Sequence, residues 1–292
     1  MIFRRDLVTI SFESNSTRLL IVNNGQVRRW ERFEAPDGLI EGGDVKHSVR
    51  MADYLTELFQ EEELPKARIV SSVSGQRSIF RTLSLPPIEE AHLERAVQRK
   101  IRQEVPMRGQ EMDFAFQVTH RDQNGVTAFV VATPRAVIDR HVEAFQSAGL
   151  RLQALDATPL ALVRAANRRR AIVVGMEASG LTVVIVDDGV PAIVRTVPMG
   201  SQVTSADARL DLLIQELERT TKYFNQSHKQ DPLLAQTALV TTGNYFSQEP
   251  MRERLAGRTD YMIADPAPPL ELPQELPVPE FSVNLGLALK KV

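Results

Sequence analysis

Along this chain the apolar residues fall into short runs of strand length, and one arrangement of them occurs twice. Residues 7–30 read LVTISFESNSTRLLIVNNGQVRRW, and residues 171–195 read AIVVGMEASGLTVVIVDDGVPAIVR. Each is an apolar run, a break at a Glu followed by a small residue (Glu13-Ser14, Glu177-Ala178), a second apolar run, a turn and a third strand. The turns are Asn24-Gly25 and Asp188-Gly189, dipeptides that tolerate the positive φ a two-residue hairpin requires. Gly25 stands twelve positions after Glu13, and Gly189 twelve after Glu177. A hairpin duplicated at the head of each half predicts two like domains facing one another across a cleft.

Elsewhere the period lengthens from two to about four. After a glycine-rich turn at 37–43, residues 45–63 carry Val49, Leu55, Leu58 and Phe59 and predict a helix. Strands are expected at 67–73 and 78–85. Leu93, Val97, Ile101 and Val105 recur at every fourth position of 89–105, a helix that Pro106 stops. Strands at 112–118 and 126–133, joined by a polar turn, precede a helix opened by Pro134, with Val137, Ile138, Val142 and Phe145 on one face and Gly149 at its end. A strand at 152–157 and a helix at 159–168 complete the first half. In the second half the longest helix, 206–226, keeps Leu210, Leu213, Ile214, Leu217 and Phe224 on one stripe. A strand within 233–242 leads to Gly243-Asn244. The proline-rich stretch 265–279, DPAPPLELPQELPVP, predicts an extended surface crossing between domains, and 281–290 a closing helix.

At 292 residues each half is long enough to bury a core of its own. The longest apolar stretches fall far short of the roughly 20 residues that span a bilayer, and no signal-peptide pattern opens the chain. Cytoplasmic residence is expected. A formal net charge of −2 gives no general attraction to nucleic acid, and Trp30 with sparse tyrosines forms no base-stacking platform. The basic run Arg168-Arg169-Arg170 is read as a solvated helix end. With no Cys, thiol chemistry and Cys-ligated metals are excluded. The histidines (His47, His92, His120, His141, His228) show no ligand spacing, and His92 and His141 are read as ordinary surface or boundary residues. No GxxxxGK[ST], GxGxxG or HExxH motif is present. No catalytic set and no metal site emerge.

The order of elements resembles that of the PilM family, actin-like proteins of type IV pilus assembly, and more distantly the cell-division protein FtsA. LSLPPIEEAHLERAVQRKIRQEVP (83–106), FVVATPRAVIDRHVEAFQSAGLRLQALDATPLALVRA (129–165) and VNLGLALKK (283–291) carry the resemblance, in order, over nearly the whole chain. It implies an α/β fold of the actin/Hsp70-like (ribonuclease H-like) kind: duplicated domains at 1–166 plus 281–292 and at 167–280, with a small inserted α+β module at about 76–150. It also implies a scaffold bound to the cytoplasmic N-terminal tail of an inner-membrane PilN-like protein, and membrane association only through that partner. A groove beside the module is the expected seat, with Phe80, Leu83, Leu85, Ile88 and Phe114 as candidate lining. For most of these, burial in the module's own core is the competing expectation.

In the actin-like superfamily the two hairpin turns grip nucleotide phosphates from either side of the cleft. The family's first turn reads like DIGSSSIK, where the Asp handles the metal and the Gly admits backbone N–H groups to phosphate. Laid on it, this chain has Ser11 at the Asp, Glu13 at the Gly, Ser14, Asn15 and Ser16 in the polar run, and Arg18 at the Lys. In the second turn Gly175 stands at the Asp and Glu177 at the Gly, with Ser179 following; Gly243 alone survives of the adenosine-side glycines. A carboxylate about 5 Å from a phosphate charge repels it by roughly 3 kcal/mol at an effective dielectric near 20. A degenerate, nucleotide-free cleft and a pseudo-ATPase are therefore expected. The alternatives are an active ATPase holding ATP and Mg, and a type II secretion component of the GspL kind, which the lack of a following transmembrane helix disfavours.

Overall fold

The computed structural model describes residues 6–65, 67–104, 111–247 and 249–291. The first hairpin is β1 (Leu7–Glu13) and β2 (Ser16–Asn23), joined at Asn24-Gly25 to β3 (Gln26–Glu34). Two short strands, β4 (Ile40–Glu41) and β5 (Asp44–Val45), lead into α1 (Ser48–Glu61) and β6 (Arg68–Val73). Then come β7 (Ile79–Leu85), α2 (Glu90–Glu104), β8 (Met112–Asp122), β9 (Gly125–Pro134), α3 (Arg135–Ser147), β10 (Leu152–Ala157) and α4 (Thr158–Ala166). The second half holds β11 (Ala171–Met176), β12 (Gly180–Asp187), β13 (Val190–Pro198), α5 (Ala206–Ser227), β14 (Ala238–Thr242), α6 (Glu249–Ala256) and β15 (Met262–Ala264), and α7 (Ser282–Ala288) closes the chain. Val105 and Pro106, expected to end α2, lie outside the described residues.

The repeat in the sequence is a repeat in space. The first sheet runs β10-β6-β1-β2-β3 and the second β13-β12-β11-β14-β15, each a three-stranded antiparallel meander extended by two parallel strands. Both Asn24-Gly25 and Asp188-Gly189 turn with positive φ at both positions, as a type I′ hairpin requires.

Strand alternation sorts the side chains onto two faces. Val8, Ile10 and Phe12 of β1 point outward beneath Met51, Leu55 and Phe59 of α1 and Ala144 and Phe145 of α3. Thr9, Ser11 and Arg18 fall on the other face, toward the second domain. In that domain Ile172, Val174 and Met176 meet Leu210, Leu213, Leu217 and Phe224 of α5. Helices α4 and α7 fill the space between the two sheets: Ala161, Leu162 and Leu287 pack against Val70 on one side and Val173, Val184 and Val240 on the other. They cross so closely that a β-carbon on Gly286 would stand 1.8 Å from the carbonyl oxygen of Ala161.

A third sheet, β7-β9-β8, is the inserted unit. One face is covered by Leu93, Val97 and Ile101 of α2, which pack on Leu83, Leu85, Ala128 and Val130. The unit is smaller than the expected 76–150, because α3 presents its apolar stripe to the first domain's core. That stripe includes His141, which is fully buried rather than at the surface. It lies at helical spacing between Val137 and Phe145, with its ring 6.0 Å from that of Phe12. Val49, by contrast, is 68% exposed, since α1 buries the stripe Met51–Leu55–Leu58 instead. The run Arg168-Arg169-Arg170 is not simply solvated: Arg169 pairs with Asp188, and Arg170 with Asp187 and Asp231. The proline-rich crossing forms no helix, but it turns at 274–275 and 278–280 and buries Leu276 rather than lying wholly on the surface. Glu271 exchanges backbone hydrogen bonds with Gly25 and Val27 at 2.9 and 3.0 Å, while Leu276 and its neighbours cover Leu20, Val22 and Trp30. Among the described residues, no helix is long and apolar enough to cross a membrane, and no cluster of His, Asp or Glu is arranged to hold a metal ion.

Candidate functional site

The two hairpin turns meet across the interdomain cleft. Glu13 closes β1, and its Oε1 accepts from the backbone N–H of Ser14 in its own turn at 3.1 Å and of Ser179 in the opposite turn at 3.0 Å. Arg18 rises from β2 and forks onto Glu177, with Nη1 and Nη2 donating to Oε1 and Oε2 at 2.6 and 2.9 Å. A bidentate pair of this kind fixes geometry as well as charge. The Nε of Arg18 stands 3.3 Å from Glu280, just ahead of α7. Gln76 donates to the carbonyl of Ser179 at 3.0 Å and completes the bridge.

Burial, and after it the Glu177 carboxylate, raises the Glu13 carboxyl to about 7. The bond from Ser179 and the charge of Arg18 oppose that rise without cancelling it. Burial works against the charge of Arg18, yet the carboxylates of Glu177, Glu13 and Glu280 raise it above the ordinary arginine range. Ser11, at the aspartate position of the resembled motif, donates to Oδ1 of Asn284 at 2.8 Å. Asn284 in turn donates to the carbonyls of Thr9 and Arg18, each at 3.0 Å. Ser11 thus ties α7 to the first sheet.

Gly175 faces Leu162 and Thr242 so closely that a β-carbon would lie 2.9 and 3.0 Å from their side chains. Gly243, at φ +97°, passes within 2.4 Å, measured from a β-carbon, of the Met176 carbonyl oxygen. Of the predicted cleft residues, Ser11, Glu13, Arg18, Gly175, Glu177, Ser179 and Gly243 line one cavity, of about 50 Å³. Ser14 contributes its amide beside it, Ser16 is buried, and Asn15 is exposed at the turn. Sequence reasoning missed Gln76, Glu280 and Asn284, because none belongs to a hairpin and all reach the cleft through tertiary packing.

A second concavity, of about 340 Å³, lies where the inserted sheet faces the first domain. Asp113, Ala115 and Gln117 of β8 and Phe129 and Val131 of β9 form one wall; Leu155, Asp156 and Ala157 of β10 with Leu160 of α4 form the other. Both β8 and β10 are outer strands of their sheets. At one end Asp156 is paired with Arg164 and lies 3.5 Å from Nζ of Lys290. Of the predicted groove residues only Phe114 lines this space. Leu83 and Leu85 belong to the core under α2, with Ile88 packed against it. Phe80 stacks with Phe129 on the sheet's other face, ring centroids 6.4 Å apart, against Ala157. The missed signal was in β9: Val126, Ala128 and Val130 alternate toward the core under α2, while Phe129 and Val131 put apolar side chains on the opposite face, toward the groove.

The family model for type IV pilus assembly protein PilM matches residues 22–204, more than half of the 292-residue chain. A solved PilM-PilN type IV pilus biogenesis complex superposes with a TM-score of 0.79 at 20% identity, covering 98% of this chain and 98% of that one. A protein of unknown function with an actin-like ATPase fold from Bacteroides thetaiotaomicron gives 0.55 at 10% identity, covering 99% and 100%. The cytoplasmic domain of EpsL, an inner membrane component of the type II secretion system of Vibrio cholerae, gives 0.54 at 10%, covering 98% and 96%. At such identities the likeness establishes the fold, which is actin-like. No curated protein sequence matches the chain.

Proposed function

The chain belongs to the PilM family of type IV pilus assembly proteins, and we propose that it works as a cytoplasmic scaffold holding the tail of a PilN-like inner-membrane protein in the groove between β8 and β10. The observation that carries this reading is the groove itself. It joins two sheet edges, and an extended peptide adds to such an edge through backbone hydrogen bonds while alternate side chains enter pockets. Its volume of about 340 Å³ lies within the usual range of ligand sites, about 300–1,000 Å³. Phe129, Val131 and Leu160 supply the apolar floor. The role would place the chain at the inner face of the inner membrane through its partner.

The test is titration of a labelled PilN-like tail peptide into the purified chain. Saturable binding at micromolar concentration is expected. Ala115→Arg, at an exposed groove position, should weaken it at least tenfold with an unchanged melting temperature. No binding at tens of micromolar would overturn the reading.

In the same reading the cleft takes no nucleotide. ATP and magnesium fit these residues poorly: Ser11 and Gly175 stand where carboxylates would hold the metal, and Glu13 uses the Ser179 amide that a phosphate would need. The cavity of about 50 Å³ is several-fold below the range of ligand pockets, about 300–1,000 Å³. Millimolar MgATP should leave the melting temperature unmoved. Stabilisation by several degrees, or ATP turnover abolished by Glu13→Ala, would sink this part of the proposal.

A further inference from the structure

We infer that Glu13 is a built-in ligand of the interdomain cleft, binding the amides of both hairpin turns at once and so latching the two domains together. The inference rests on the reading of the cleft as free of nucleotide and concerns what governs its closure. One carboxylate oxygen receives Ser14 N–H from the first domain and Ser179 N–H from the second. Beside it the Arg18–Glu177 fork crosses the same boundary. The amides a bound anion would occupy are taken by a side chain of the protein itself.

The latch also opposes itself. The charged groups facing Glu13 are Glu177 from the turn after β11 and Arg18 from β2. Behind Arg18 stand Glu280, ahead of α7, and Arg32 on β3, 3.9 Å from Glu280. Three carboxylates thus gather around one buried guanidinium. Closing the cleft around an ionised Glu13 is unfavourable, which agrees with its rise from the ordinary 4.5 to about 7. Opening returns Glu13 to water and to its ordinary value, so closure takes up a proton. Closure is then strongest below about 4.5 and weakens as pH rises, until about 7, where both states are ionised and the trend ends.

The test is hydrogen exchange at the Ser179 amide of the full chain, without nucleotide or peptide, corrected for the intrinsic pH dependence of exchange. Protection is expected to fall about tenfold per pH unit between 5 and 7 and to level off above. Glu13→Gln keeps an acceptor without the charge, so its Ser179 protection should not change over that range. An unchanged wild-type protection, or an equal fall in Glu13→Gln, would overturn the latch. So would a rise with pH, since that is the signature of a carboxylate that merely accepts better when ionised. Protection at Ser179 equal to that at Val183, in the middle of β12, would mean that Ser179 exchanges only through global unfolding, and would also overturn it. Calorimetry with MgATP reports separately on the nucleotide reading, so either result can fail without the other.

Discussion

Glu13 and Asp44 drive stability with pH in one direction and His141 in the other. Glu13 is raised in the folded chain, to about 7 from 4.5. What it contributes is fully present below 4.5 and lost as pH rises through 7. His141 is lowered by burial to about 4 from 6.5. Its contribution is present above 6.5 and lost as pH falls through 4. Each span of about 2.5 pH units corresponds to about 3 kcal/mol at 1.36 kcal/mol per unit. Asp44, buried and raised to about 6 from 3.8, adds a second falling contribution, present below 3.8 and lost as pH rises through 6. Denaturant unfolding should therefore show the stability of Glu13→Gln rising relative to that of the wild type between pH 4.5 and 7, by about 3 kcal/mol in all. A difference between the two that does not change with pH would mean that the Glu13 assignment is wrong. Arg18 illustrates why a buried ion pair is a constraint more than a bonus: removing it would leave Glu177 unpaired, and Glu280 with only the more distant Arg32, in a site where desolvation is costly.

At the scale of elements, packing decides what periodicity cannot. Gly286 sits where α4 and α7 touch backbone to backbone. Gly286→Ala should cost about 3 kcal/mol or more, at or beyond the upper end of the usual single-residue effects, measurable as a fall in denaturant midpoint; a loss below about 1 kcal/mol would mean the helices can part freely. The duplicated hairpins were legible because β-turn dipeptides and alternation are local chemistry: Asn24-Gly25 and Asp188-Gly189 determine their own φ. The long helices were legible from Leu93–Val97–Ile101 and Leu210–Leu213–Leu217 for the same reason. Helix α6 and strand β15 were not expected, because α6 is short and weakly amphipathic and β15 has only three residues. Half of the cleft was visible as Glu13, Arg18 and Glu177 in the repeat. The groove was barely visible, since Phe129 and Leu160 look like ordinary core residues until the topology brings β8 and β10 side by side.

At the scale of the molecule, the latch and the groove lie on different seams. The latch joins the first domain to the second, while the groove lies mainly between the first domain and the inserted sheet. Contact between the seams runs through Phe80 and Phe129, which also meet Val190 and Val194 of β13. Peptide affinity should therefore respond only weakly to Glu13→Gln. One feature of this layout bears on how the chain is made. Helix α7 follows the entire second domain in sequence, yet Asn284 satisfies Thr9, Ser11 and Arg18 in the first. On the ribosome, the first sheet must wait, with only α4 on its inner face, until α7 has been synthesised on the far side of the second domain. The second domain can fold as it appears, so the half made first is the half finished last.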